Sequence, residues 1–177
     1  MLRNALLWAA KNPFLAQRLP TYGFVRRATR RFMPGETLED ALREARRLKG
    51  DGAPTTFTLL GENVTTPREA DAVAEHYLEV LEAVRAHGLD TEVSVKPTQL
   101  GLDLGTDLAR RRLERIVRAC NPEALVWVDM ESSAYVDATL ALFRSVREDH
   151  ENVGLCLQAY LQRTQKDLEG LLPLRPA

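Results

Sequence analysis

At 177 residues, with 45% hydrophobic side chains, 10 glycines and 9 prolines, the chain has enough apolar material for a core of ordinary size, which excludes global disorder. A formal net charge of -1 gives no electrostatic case for a nucleic-acid partner. The charge is uneven: residues 1–35 carry seven of the 24 basic side chains and none of the 25 acidic ones.

That basic segment is open to three readings: an organellar targeting peptide, a membrane-surface helix, or a helical preface to the main domain. The preface is preferred, and residues 1–52 are read as a helical amino-terminal segment. The apolar run 5–10 is too short to cross a bilayer. A cytoplasmic protein is expected.

From Thr37 onward the pattern becomes regular. Thr37 can cap a helix with Asp40 at its third position, and Leu38, Ala41, Leu42, Ala45 and Leu48 follow at helical spacing. Gly50, Asp51, Gly52 and Pro54 end it. Residues 55–60, TTFTLL, have the composition of a strand. Gly61 and Glu62 lead to a second helix start at Thr66, Pro67 and Glu69, with an inner stripe of Val73, Tyr77, Val80, Leu81 and Val84 and a stop at Gly88.

The alternation repeats. Residues 91–95 make a second strand, and Ala109, Leu113, Ile116 and Val117 mark the next helix face. Residues 124–128 make a third strand, before a helix capped by Ser132 or Ser133 with Val136, Thr139, Leu140, Phe143 and Val146 inward. Residues 153–157 make a fourth, and Thr164 with Asp167 starts a last short helix. Residues 53–177 thus read as four βα units. Near-continuous apolar strands between amphipathic helices predict a parallel sheet. The first turn, GENVTTP, lacks the glycine pattern of a nucleotide-binding doubly wound sheet, so a barrel is favoured.

Four strands are half of the eight that close such a barrel. The expectation is therefore that the chain pairs with another copy or belongs to a longer protein. Cys120, closing a helix, and Cys156, inside a predicted buried strand, read as reduced structural thiols. His76, His87 and His150 fit no metal spacing and read as solvated helix residues, with no metal expected.

Each predicted strand ends in a polar residue: Glu62, Lys96, Asp129 and Gln158. Strand ends at the carboxyl edge of a parallel sheet are where barrel active sites lie, so the four suggest one pocket. Lys96 is bracketed by apolar Val93 and Val95 and followed by a tight loop that opens at Pro97. Chemistry alone leaves it two roles, holding a substrate carboxylate or forming a Schiff base in a lyase. A non-catalytic half-barrel that binds a partner through its open edges is a third reading of the chain.

Three motifs narrow these choices. SVKPTQLGL, VWVDMESSAYVDATLALFR and VGLCLQAYLQRT, in this order, resemble the proline dehydrogenases, flavin enzymes built on a distorted β/α barrel. The resemblance covers about residues 36–172. It implies the amino-terminal half of a distorted (β/α)8 barrel preceded by short helices, with FAD as cofactor. The implied reaction is oxidation of L-proline to 1-pyrroline-5-carboxylate, with electrons passed to a quinone at the inner face of a membrane.

Carried over by position, Lys96 corresponds to the lysine that pairs with the proline carboxylate, Asp129 to the active-site aspartate, Met130 to a flavin contact and Gln158 to a glutamine on the flavin ring. Glu62 is similar to a mouth glutamate that gates through an ion pair, with a solvated loop carboxylate as the competing reading. Glu131 is open to two readings, an acid that supports the site from behind Asp129 and a surface carboxylate near a helix start, and the second is preferred. The resemblance also implies further strands and paired arginines after Ala177, so the chain is expected to be an amino-terminal portion, weakly active or inactive alone.

Overall fold

A computed structural model describes residues 12, 18, 22, 23, 37–61 and 64–175. Two compact units divide the chain, residues 1–44 and 45–177. Most of residues 1–36, and Glu62, lie outside the described residues. Helix α1, Leu38–Gly50, starts as its sequence predicts: the Asp40 amide donates to the Thr37 hydroxyl at 3.2 Å. It stops at Gly52, whose φ of 77° lets the amides of Gly52 and Ala53 reach back to Lys49 and Leu48 carbonyls. That is the left-handed closure only glycine takes without strain.

In the second unit, strands and helices alternate: β1 Thr55–Thr58, α2 Pro67–Ala86, β2 Thr91–Val95, α3 Thr106–Ala119, β3 Val126–Asp129, α4 Val136–Arg147, β4 Val153–Cys156 and α5 Thr164–Leu171. All pairings are parallel and the strand order is β1-β2-β3-β4. Each strand lies beside its neighbour in sequence, as around a (β/α) barrel; a doubly wound sheet would reverse direction at a switch point. The fold is therefore α/β, with successive βα units of the barrel kind.

Helix α2 has the strongest local signal. Thr66 and Glu69 form a reciprocal capping box with Pro67 in the first turn, which satisfies two otherwise orphaned amides. Ala70, Ala74, Tyr77, Val80, Leu81 and Val84 are buried along one face. Two expected caps are not made. Ser132 and Ser133 enter a 3-10 turn, Ser133–Tyr135, with no side-chain cap bond to the helix, and Thr164 turns its hydroxyl to the Gln158 carbonyl at 2.6 Å.

The strands also depart from the expected continuous apolar run. Val93, Val95, Val126, Val128 and Val153 are fully buried, and the alternate residues are of another kind. Register pairs Thr58 with Ser94, Ser94 with Trp127, Trp127 with Gly154 and Asp129 with Cys156. Because side chains alternate along a strand, these residues share the second face of the sheet. Gly154 is required there: a Cβ would lie 2.6 Å from the Trp127 ring. The indole N–H donates to Glu92 at 2.6 Å, and the same carboxylate accepts the Leu125 amide.

Candidate functional site

The second face ends in a cleft of about 540 Å3 lined by Lys96, Asp129, Met130, Glu131, Ser132, Tyr135, Cys156, Leu157 and Gln158. Its volume is that of a small-molecule site, and it lies at the carboxyl ends of the strands. Lys96, Asp129, Met130 and Gln158, expected from the sequence, are thus brought together. Glu62 is outside the described residues.

Lys96 follows the last residue of β2 and is half-buried. Its ammonium has no hydrogen-bond or ion-pair partner among the described residues. Partial burial without a partner is costly for a cation. A lysine so placed is available to an anion entering the cleft.

Asp129 ends β3 and does not neutralise that lysine. Its Oδ1 accepts the Ser94 hydroxyl at 2.5 Å, a short bond of the kind a charged acceptor makes. Ser94 is itself 7% exposed, and its carbonyl accepts the Tyr77 hydroxyl at 2.8 Å. The same Tyr77 oxygen accepts the Leu59 amide at 3.0 Å. One phenol from α2 therefore fixes the ends of β1 and β2. Burial raises its pKa above the ordinary 10.0, so it stays a protonated donor at neutral pH.

Cys156, opposite Asp129 in β4, is the clearest correction. The expected buried structural thiol is an exposed residue on the cleft face. Its pKa is pushed up to about 11, first by desolvation of the sulfur, then by the negative charge of Asp129 and a hydrogen bond to its carboxylate. The thiol is neutral and a poor nucleophile at physiological pH. Cys120, by contrast, is buried as expected.

Gln158 lies two residues past β4. Its Nε2 donates to the Met130 carbonyl at 3.2 Å, and its Oε1 accepts the Tyr160 hydroxyl at 3.3 Å. An amide has two donors and two lone pairs, so each end keeps capacity for a ligand. Met130 and Leu157 line the cleft beside this amide.

Glu131 is not the solvated carboxylate expected. It is half-buried, and it accepts the Thr98 amide at 2.9 Å and the Thr98 hydroxyl at 2.6 Å. The turn that carries Lys96 is gripped elsewhere as well. Buried Gln99 donates to the carbonyls of Leu59 and Gly61 at 3.1 and 2.8 Å. Arg112, only 5% exposed, donates to the Leu100 and Pro67 carbonyls and to Asp71.

Sequence reasoning missed Ser94, Cys156 and Tyr135 as neighbours of the site. Ser94 and Cys156 carry a signal that alternation offers, since each lies an even number of residues from a chosen one, Lys96 or Gln158. Tyr135, whose hydroxyl donates to Asp103 at 3.0 Å, carries none. His150 also differs from expectation, because its Nε2 is buried with no partner among the described residues. No group of metal-ligating side chains occurs among the described residues, and none of their helices is long and apolar enough to cross a membrane.

A parallel βα sheet with charged and amide side chains converging at its carboxyl edge defines a barrel-type ligand site. The comparisons with known proteins name the kind. A family model described as proline dehydrogenase matches residues 41–174, and the chain belongs to the proline dehydrogenase family. It is 34% identical over 177 residues to proline dehydrogenase 1 of Bacillus subtilis (strain 168), an alignment covering 99% of this chain and 58% of that protein. It is 30% identical to proline dehydrogenase 2 of the same strain, over 98% of this chain and 57% of the relative. Identity to a proline dehydrogenase of Deinococcus radiodurans is 32%, over 99% and 58% respectively. The chain thus spans somewhat more than half the length of these relatives.

Proposed function

We propose that this chain provides the substrate-anchoring side of a proline dehydrogenase site, working on L-proline with FAD as cofactor. The single observation that carries the reading is the Lys96 ammonium, without a partner among the described residues, in a cleft it shares with Asp129, Met130 and Gln158. Membership of the family supports the substrate class.

In this reading Lys96 holds the proline carboxylate, and its point charge fixes which side of the ring enters the cleft. Gln158 holds the flavin ring edge with the donor and acceptor capacity left after Met130 and Tyr160. Met130 and Leu157 exclude water beside it. Asp129, kept in place by Ser94, sets a fixed negative charge near the ring. When bound, FAD supplies the two-electron acceptor for oxidation of the carbon beside the proline nitrogen, giving 1-pyrroline-5-carboxylate. Glu62 is proposed to gate the mouth.

A quinone is the proposed final acceptor, with peripheral contact at the inner face of a membrane, and the basic residues 1–35 would suit that surface. The cytoplasmic side and a homo-oligomer belong to the same proposal. The test is flavin reconstitution followed by proline addition, in a protein that joins this chain to the carboxyl-terminal portion of a full-length relative. Proline-dependent bleaching of the flavin absorbance, with a quinone analogue restoring it, is the expected result; a flavin-loaded protein that proline leaves oxidised would refute the reading.

A further inference from the structure

Two carboxylates share the cleft with Lys96, yet neither forms an ion pair with it. Asp129 is occupied by the Ser94 hydroxyl. Both oxygens of Glu131 are occupied by a single residue, Thr98, whose amide reaches Oε2 at 2.9 Å and whose hydroxyl reaches Oε1 at 2.6 Å. Thr98 is completely buried, so these donors have been taken from water and their bonds are costly to leave unmade.

The place of Thr98 gives the contact its meaning. The Lys96 carbonyl accepts the Gln99 amide at 3.0 Å, closing a four-residue turn with Pro97 and Thr98 as its central pair. Proline at the first central position presets that turn. Glu131 therefore grips the second central residue of the turn that begins at Lys96, reaching it from the loop after β3. The geometry points to Glu131 as a positioning residue for Lys96: through Thr98 it fixes the backbone from which the ammonium enters the cleft. By spending both oxygens on Thr98, Glu131 also leaves the ammonium unpaired by its own charge and open to a carboxylate ligand.

This inference rests on the proposed role of Lys96 as the carboxylate anchor. A misplacement of about 1 Å in such an anchor can cost up to about 100-fold, so removing the clamp should mimic removing the lysine. The test is a double-mutant cycle in the flavin-loaded protein with Lys96→Met, Glu131→Ala and the pair, reading the KM and kcat for proline and the amide hydrogen exchange of residues 98–101. Glu131→Gln is the conservative variant, because one amide oxygen can still accept the Thr98 N–H.

Glu131→Ala should raise KM by on the order of tenfold or more with a smaller change in kcat. The pair should be little worse than Lys96→Met alone, Glu131→Gln should restore part of the loss, and exchange should quicken at Thr98. Effects of Glu131→Ala and Lys96→Met that multiply fully, or an unchanged KM in Glu131→Ala while Lys96→Met raises it, would overturn the clamp and leave the anchor standing. An unchanged KM in Lys96→Met would remove the anchor and the clamp with it, while quickened exchange at Thr98 would then mark the Glu131 contact as purely structural.

Discussion

On the helix-facing side of the sheet, Val93, Val95, Val126, Val128 and Val153 are fully buried, and none of these side chains needs a partner. On the cleft-facing side, the alternate residues of the same strands are Ser94, Trp127, Asp129 and Cys156, and each is tied by a hydrogen bond. Lys96, next on that side, has no such tie among the described residues. The first side stabilises by packing and tolerates chemistry-free substitution; the second keeps polar groups fixed at a cost that only a ligand makes useful. One residue along a strand separates the two tasks, because successive side chains point to opposite faces.

The largest expected effect breaks the packed side alone. Phe143 of α4 is fully buried, and Phe143→Ala should destabilise the fold by about 3–5 kcal/mol through lost burial and the cavity left behind. A fall in the urea midpoint would register it. The pH profile of the Cys156 thiol in the folded protein should not move, which keeps the two sides distinct.

The smaller effect sharpens the cleft side. Cys156 should react with iodoacetamide slowly near neutrality, with the rate rising steeply only as pH approaches about 11. The folded state holds this thiol proton more tightly than the unfolded chain. Its contribution to stability is therefore full below the ordinary value of 9.0 and is lost as pH rises through about 11. Cys156→Ser should soften the alkaline loss of stability relative to the parent protein, and Asp129→Asn should bring the alkylation midpoint down.

The same contrast explains what the sequence made legible. Helix starts and stops were readable because they depend on local chemistry: Thr66 with Glu69, and Gly88 with its φ of 58°. The inner stripes of α2, α3 and α4 followed from helical period, although Arg112 hides on the α3 stripe because three oxygen partners from distant segments allow its burial. Short strands were harder. VGLCL taken alone does not tell which alternate residue meets helices and which meets the cleft; only its two-residue spacing from Gln158 marks Cys156, which was misplaced while Val153 was not. Ser132 and Thr164 failed as caps because tertiary partners and a 3-10 turn overrode the local preference. Of the site, Lys96, Asp129, Met130 and Gln158 were visible through motifs. The role of Glu131 was not, since its partner Thr98 lies 33 residues away.

The central claim, that Lys96 receives the substrate carboxylate, is tested most directly by removing the two charges separately. Turnover of L-proline and of pyrrolidine, the same ring without a carboxylate, would be compared in the flavin-loaded parent and in Lys96→Met. The parent should prefer proline strongly, and Lys96→Met should lose about tenfold or more in kcat/KM for proline, with little change for pyrrolidine. An equal loss on both substrates, or a preference for proline that survives the substitution, would contradict the account.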